Sequence, residues 1–292
     1  MKSYRIKYCF SLLLMIALTA CEREVADVKL PDFEQKLAIT SFISPSDTIS
    51  YFFVTSNQRI FGELNSDEPL GNLTAFIFDD SNEVALDTSK TGFKISKNKM
   101  PIKYGKTYKL QVLSDKGLSA EATCTVPAKR SFYLKADTFS VVRHSPDPGW
   151  PTYRSLDVRV TFKDFPGEEN YYRLLSKVTG YYSNPIRGTT WVSSNYVTYE
   201  KEYLVDTGMD GKEIAQSTIS NLKHYSVSCD SAFVKIYLFN TEKSYYLYHK
   251  SLDNYRNGEN PFSEVSPIFS NITGGLGIFA AYTVDSLVFR LK

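Results

Sequence analysis

The residues that most often carry acid–base chemistry or hold metals are few in this chain. Three histidines, His144, His224 and His249, are scattered over 292 residues, and none forms part of an HExxH pair. No GxSxG elbow presents a serine nucleophile. Gly105-Lys106-Thr107 has the ending of a phosphate loop, but Met100 stands where that motif needs glycine, and the surrounding residues alternate like a strand. Asp206-Thr207-Gly208-Met209-Asp210-Gly211-Lys212-Glu213 places oxygen ligands around a glycine turn. A calcium loop needs an acid or amide where Gly208 stands and a closing glutamate where Ser217 stands, so the segment reads as a hairpin turn. Asp164 with Glu168 and Glu169 reads as an exposed acidic turn. Gly274-Gly275-Leu276-Gly277 lacks the following helix start that would complete an anion cradle, and points to a strand bulge or close backbone packing. With no CxxC and no Cys/His cluster, neither a metal nor a cofactor is expected. A pair of carboxylates distant in sequence is the catalytic arrangement this inventory leaves open.

Tyrosine is the other abundant candidate, at 21 residues. Tyr171, Tyr172, Tyr181, Tyr182, Tyr196, Tyr199 and Tyr203 either line a ligand surface or pack as ordinary strand residues; tyrosine serves both purposes.

Cysteine chemistry begins at the N-terminus. Lys2, Arg5 and Lys7 precede an apolar run from Cys9 to Leu18 broken only by Ser11. A basic start followed by a short apolar run is a secretory signal, and the run falls short of the roughly 20 residues a bilayer span needs. Leu18-Thr19-Ala20-Cys21 then resembles the bacterial lipobox, whose small residues enter a signal peptidase and whose thiol receives diacylglycerol. Residues 1–20 are therefore read as a signal peptide, Cys21 as the lipidated first residue of the mature protein, and 21–36 as a polar tether. Each buried methylene contributes about 0.8 kcal/mol, so two or more acyl chains hold firmly where one binds reversibly. The partner implied is a membrane, reached through Cys21. The two other mature cysteines, Cys124 and Cys229, are a candidate disulfide in an oxidising compartment or two buried thiols.

Removal of residues 1–20 takes three basic residues and no acid, leaving 31 basic against 32 acidic side chains. So neutral a body gives no reason to expect a nucleic acid partner. Strand signals dominate the rest. Leu37 to Ile43, Thr48 to Thr55, Leu73 to Phe78 and Glu83 to Asp87 are short runs between turn residues; in Gly105 to Leu113 the apolar Tyr108, Leu110 and Val112 alternate with polar residues, and Ala120 to Val126 returns after Asp115-Lys116-Gly117. Residues 37–127 read as an immunoglobulin-like β-sandwich, and 128–292 as a second β-rich sandwich domain. The second block holds strands at Phe132 to Arg143, Tyr153 to Phe162, Asn170 to Tyr181, Thr189 to Val205, Ala232 to Phe239 and Gly274 to Leu291. Tyr245, Tyr248, Leu252 and Tyr255 form one stripe of a helix near 241–256, with Asn240 or Thr241 as cap and its tyrosines packed on a sheet.

Several segments together carry a family resemblance: the lipobox, Ser41-Phe42-Ile43-Ser44-Pro45 with Asp47-Thr48, Gly105-Lys106-Thr107-Tyr108 with Leu110 and Val112, Val126-Pro127, Asn170-Tyr171-Tyr172, and Ser270-Asn271-Ile272-Thr273-Gly274-Gly275-Leu276-Gly277-Ile278-Phe279. In that order they resemble the Bacteroidota lipoprotein family catalogued as domain of unknown function 4249. The resemblance implies no catalytic residues, since the family has no established activity. It implies an accessory of a TonB-dependent outer-membrane transporter, lipid-anchored in the outer membrane and facing the surface rather than the periplasm; Glu22 and Glu24 after the lipidated cysteine fit surface display, with Arg23 interrupting them. It also makes Thr48, Ser231 and Ser286, each after an aspartate, candidate O-glycosylation sites. The expectation is a non-enzymatic binding or accessory module; the alternatives are a structural or assembly subunit of the envelope and a surface hydrolase.

Overall fold

The computed structural model describes residues 33–58, 69–143, 153–227, 229–257 and 267–291. The signal segment 1–20, Cys21, the tether as far as residue 32, and His144 lie outside the described residues. The protein is mainly β. In the first half the strands are β1 (Leu37–Ile43), β2 (Ile49–Ser56), β3 (Leu73–Phe78), β4 (Glu83–Ala85), β5 (Asp87–Ser89), β6 (Gly92–Ser96), β7 (Thr107–Ser114) and β8 (Ser119–Thr125). The second half holds β9 (Lys135–Arg143), β10 (Tyr153–Lys163), β11 (Tyr171–Asn184), β12 (Thr189–Val197), β13 (Tyr203–Val205), β14 (Glu213–Ser217), helix α1 (Lys223–Val227), β15 (Ser231–Thr241), helix α2 (Lys243–Asn257) and β16 (Gly275–Arg290).

A nine-stranded sheet is the spine, in the order β12-β11-β15-β16-β1-β2-β6-β5, with β13 also pairing with β11. Two smaller sheets, β4-β3-β7-β8 and β14-β10-β9, complete the set. Burial follows the two-residue period of a strand: Leu37, Ile39, Ser41 and Ile43 of β1 point inward, as do Tyr108, Leu110 and Val112 of β7. Around the four-stranded sheet, Leu37, Ile39, Phe52, Phe93 and Phe279 of the long sheet meet Ile77, Tyr108, Leu110 and Cys124. Around the three-stranded sheet, Tyr172, Leu174, Val234, Ile236 and Leu238 meet Val158, Val160, Phe162 and Ile214. Both smaller sheets therefore cover one face of the spine. On the opposite, outer face α2 packs Tyr245 and Tyr248 against Ile278, Ala280 and Phe42.

One strand belongs to both halves. Gly275 to Ala281 of β16 runs parallel to β1, while Tyr282 to Arg290 pairs antiparallel with β15. The sandwich built from 37–127 is thus completed by a strand from the C-terminus. Its glycines make the approach feasible. Gly277 has φ +103°, and a Cβ there would lie 2.0 Å from the Ile39 carbonyl oxygen; at Gly274, φ +75°, it would lie 2.4 Å from that of Ser119. The glycine run is close backbone packing, as its sequence suggested. Asn271 seals the return: its Nδ2 donates to the Phe279 carbonyl at 2.8 Å, and its Oδ1 accepts the Phe279 N–H at 3.0 Å.

Helix α2 starts later than its capping residues implied, because Asn240 and Thr241 are still in β15. Glu242 does not cap it either. Its carboxylate accepts the Thr125 N–H at 2.8 Å and the Ala281 N–H at 3.2 Å, tying β8 and β16 to the start of the helix. Burial pushes the Glu242 carboxyl up to about 7. The stripe divides along the helix: Tyr245 is buried, Tyr248 half-buried and Tyr255 exposed.

Candidate functional site

The tyrosines that either line a ligand surface or pack as strand residues are parted by strand parity. Along β11 the even residues Tyr172, Leu174, Ser176, Val178 and Tyr182 face the three-stranded sheet, whereas Lys177 and Tyr181 face outward and are exposed. Tyr172 is fully buried; Tyr171, Tyr182 and Tyr199 are buried and Tyr203 half-buried. Of the seven, Tyr181 and Tyr196 remain exposed, at 45% and 70%. Tyr172 meets the rings of Phe132 and Phe162 edge-on at 5.6 and 5.0 Å, core geometry that adds about 0.5–1.5 kcal/mol per pair beyond area burial.

What β11 and β12 build instead is a long hairpin. Asn184 forms its tip: Oδ1 accepts the N–H groups of Ile186 and Arg187, both at 3.1 Å, and Gly188 closes the turn with φ +60°. The register places Tyr182 opposite Trp191, Tyr181 opposite Val192 and Lys177 opposite Tyr196. Trp191 stacks on Tyr182 at 5.2 Å with ring planes 6° apart. Apart from Ser193 and Val197, every residue of β12 is exposed, so the strand is open on both faces, and it is the last strand of the sheet. No lysine, proline or inward-pointing charge interrupts Thr189 to Val197, although such residues are the usual guards of an edge.

Beyond α2 the outer face of β12, β11, β15 and β16 has no cover among the described residues. Reading across the strands, one row holds Tyr196, Lys177, Lys235 and Val288; the next holds Ser194, Thr179, Phe233 and Arg290. Val192, Tyr181 and Ser231 form a third row, and Leu175, Tyr237 and Ser286 a fourth. Val192 and Val288 are 58% and 59% exposed. Tyr181 meets Phe233 edge-on at 6.2 Å, and the Lys235 ammonium lies 4.9 Å from the Tyr237 ring centre. With a rise of about 3.4 Å per residue and a strand spacing of about 4.8 Å, these rows span roughly 20 by 19 Å.

A second grouping unites two turns that the sequence separates. Asp164, Asp206 and Asp210 bring carboxylate oxygens within 4.8 Å of one another, with the first two buried. Such oxygens suit a hard divalent cation. They are also engaged as braces. Asp164 accepts the Tyr172 hydroxyl at 2.5 Å and the Gly211 N–H at 2.7 Å. Asp206 accepts the Asn170 N–H at 3.0 Å, and Asp210 the Gly167 N–H at 2.8 Å. The contacts fix the 164–170 turn against the 206–211 turn and hold the start of β11. Burial and the Asp164 carboxylate together push the Tyr172 phenol up.

The remaining candidates are dispersed. Cys124 and Cys229 are buried in two different core clusters and no bridge joins them, so the candidate disulfide is not formed. Burial pushes the Cys124 thiol well up. His224 lies against the rings of Tyr182 and Tyr225, and His249 is sandwiched between Phe42 and Tyr203, each at 5.2 Å. Among the glycosylation candidates Thr48 and Ser286 are exposed and Ser231 is half-buried, with Ser231 and Ser286 on the outer face. The aspartates before two of them are engaged: Asp47 accepts the Tyr282 hydroxyl at 3.4 Å and Asp285 the Phe132 N–H at 2.9 Å.

Several segments that carry the family resemblance have structural roles in these contacts: Asn170 in the braced turn, Tyr171 and Tyr172 in the core, and Asn271 to Phe279 in the β16 return. Comparison with curated proteins and comparison with solved structures each give no match. Residues 23–287 match the family described as Domain of unknown function (DUF4249), and the chain belongs to that family.

Proposed function

We propose that this chain is an outer-membrane lipoprotein, anchored through lipid on Cys21, that works as a non-enzymatic binding or accessory module beside a TonB-dependent transporter. The observation that supports a binding role is the open half-face of the long sheet with its aromatic hairpin. Exposed Tyr and Trp on a rigid strand scaffold lose little side-chain entropy on contact, which is why such residues are enriched at interfaces. A membrane anchor complements this arrangement, since it confines the module to the surface where a barrel partner resides and raises their effective concentration. The buried aspartates support the non-enzymatic reading, because their oxygens already accept protein hydrogen bonds. Of the proposed O-glycosylation sites, Thr48 is the exposed one that lies off this half-face.

The test is a pull-down of the tagged full chain from its native membrane in mild detergent, with mass spectrometry of the eluate and of the mature N-terminus. Recovery of a TonB-dependent transporter in stoichiometric amount, with a diacylated Cys21, supports the reading. An unmodified N-terminus contradicts the anchor. Recovery of envelope assembly components in place of a transporter replaces the accessory role with a structural one.

A further inference from the structure

The open half of the outer face has a charge character that the body as a whole lacks. At the outward positions of β11, β12, β15 and β16 beyond α2 stand Lys177, Lys235 and Arg290, and no aspartate or glutamate. The three cations are interleaved with Tyr181, Val192, Tyr196, Phe233, Tyr237 and Val288, and with the hydroxyl groups of Thr179 and Ser194. The same sheet face carries α2 on its other half, so half of it already shows how a cover packs: Tyr245 and Tyr248 descend onto apolar strand residues.

We infer that this half-face docks a protein partner whose contacting surface presents carboxylates around an apolar centre. The inference rests on the binding-module reading and names the surface and the chemistry of its partner. Charge complementarity sets the sign. Lys177 and Lys235, neighbours in one row, attract an acidic surface and repel a basic one, a selectivity acting mainly on encounter and orientation. The aromatic and valine side chains around them supply the area that loses water on contact. Their flat setting suits a folded protein surface better than a bilayer, into which apolar groups must project some 5–10 Å. The projected area, about 400 Å², is roughly half of one partner's share in a standard interface, and the exposed hairpin tip with Ile186 extends it. A glycan on Ser231 or Ser286 would stand on this face, so docking requires both residues to be unmodified.

The experiment places a photo-crosslinking phenylalanine analogue at Tyr196 or Val288 of the full chain in its native cells, with Tyr133, 72% exposed before β9, as the control position. Alongside it, the double variant Lys177→Glu/Lys235→Glu is carried through the transporter pull-down after a thermal melt shows that it folds. Docking predicts crosslinks from 196 and 288 but not from 133, to partner peptides rich in Asp and Glu, and at least a tenfold loss of recovered transporter in the double variant. Transporter recovered at the wild-type level by the double variant, with crosslinks no stronger at 196 and 288 than at 133, would overturn the docking face and leave the accessory reading standing. Crosslinks to lipid or to a second copy of the chain would overturn it in favour of those occupants. Failure of wild-type protein to recover any partner, or an intact mass showing glycans on Ser231 or Ser286, also overturns it.

Discussion

Replacing Gly277 by alanine should be among the most damaging single-methyl changes in this protein. Two costs combine. Gly277 has φ +103°, a conformation that L-residues adopt at an expense of about 1–3 kcal/mol. The new Cβ would also lie 2.0 Å from the Ile39 carbonyl oxygen, a separation atoms do not tolerate, so β1 and β16 must part locally. Each buried backbone group left unpaired by that movement costs about 1–3 kcal/mol. With one or two groups affected, the sum is about 2–9 kcal/mol, most of it in the range that only disrupted cores and strained backbones reach. At about 2–4 °C per kcal/mol for a domain of this size, the melting temperature should fall by on the order of 10 °C. Gly117→Ala is the matched control: its φ is +85°, but nothing lies within 4 Å of the added Cβ, so it carries the conformational cost alone. Urea and thermal melts followed by far-UV circular dichroism measure both variants. Equal destabilisation by the two would refute the claim that contact with β1, rather than backbone conformation, makes this glycine necessary. Hydrogen exchange adds a location, since protection should fall first along β1 and the first half of β16.

Three further outcomes follow from single sites. Burial raises the Glu242 carboxyl to about 7 in the folded chain, so between about pH 4.5 and pH 7 the native state keeps a proton that the unfolded state has released. Stability should therefore decline as pH rises through that window, and Glu242→Gln should flatten the decline in melts taken from pH 4.5 to 8; an unchanged pH profile would contradict it. Cys124 and Cys229 should react with a thiol reagent only on unfolding, and reductant should leave the melting temperature unmoved; a shift would point to a bridge. Asp164→Ala should cost about 2–5 kcal/mol by orphaning the Tyr172 hydroxyl and the Gly211 N–H, whereas a chelator should shift the wild-type melt by less than about 1 °C. A large chelator effect would turn the aspartate brace into a metal site.

Local pattern carried much of this fold. The runs Leu37 to Ile43 and Leu73 to Phe78 are strands with those bounds, and Tyr108, Leu110 and Val112 point inward as their alternation requires. Pattern was weaker where strands are short or where the chain changes partner. Gly92–Ser96 is five residues beside turn-like neighbours, and the run from Thr189 to Val205 divides because Tyr199 turns into the core and bridges to Thr218. Glu83 to Asp87 likewise divides at buried Leu86, on passing from one sheet to another. Pairings between distant segments left no local mark. Nothing near Gly275 announces β1 as its neighbour, and nothing in either aspartate turn announces the other. The tyrosines show the same limit for the candidate site. Tyr181 and Tyr182 are adjacent and chemically identical, yet one is exposed and the other buried, because burial depends on which face the three-stranded sheet covers.

A lipid-anchored module that holds a transporter, as proposed, should bring that transporter with it in a mild-detergent pull-down of the tagged full chain from its native membrane. The prediction is a TonB-dependent transporter at close to one copy per copy of a lipoprotein diacylated on Cys21. Recovery of the lipoprotein alone, from membranes shown to contain the transporter, would contradict it.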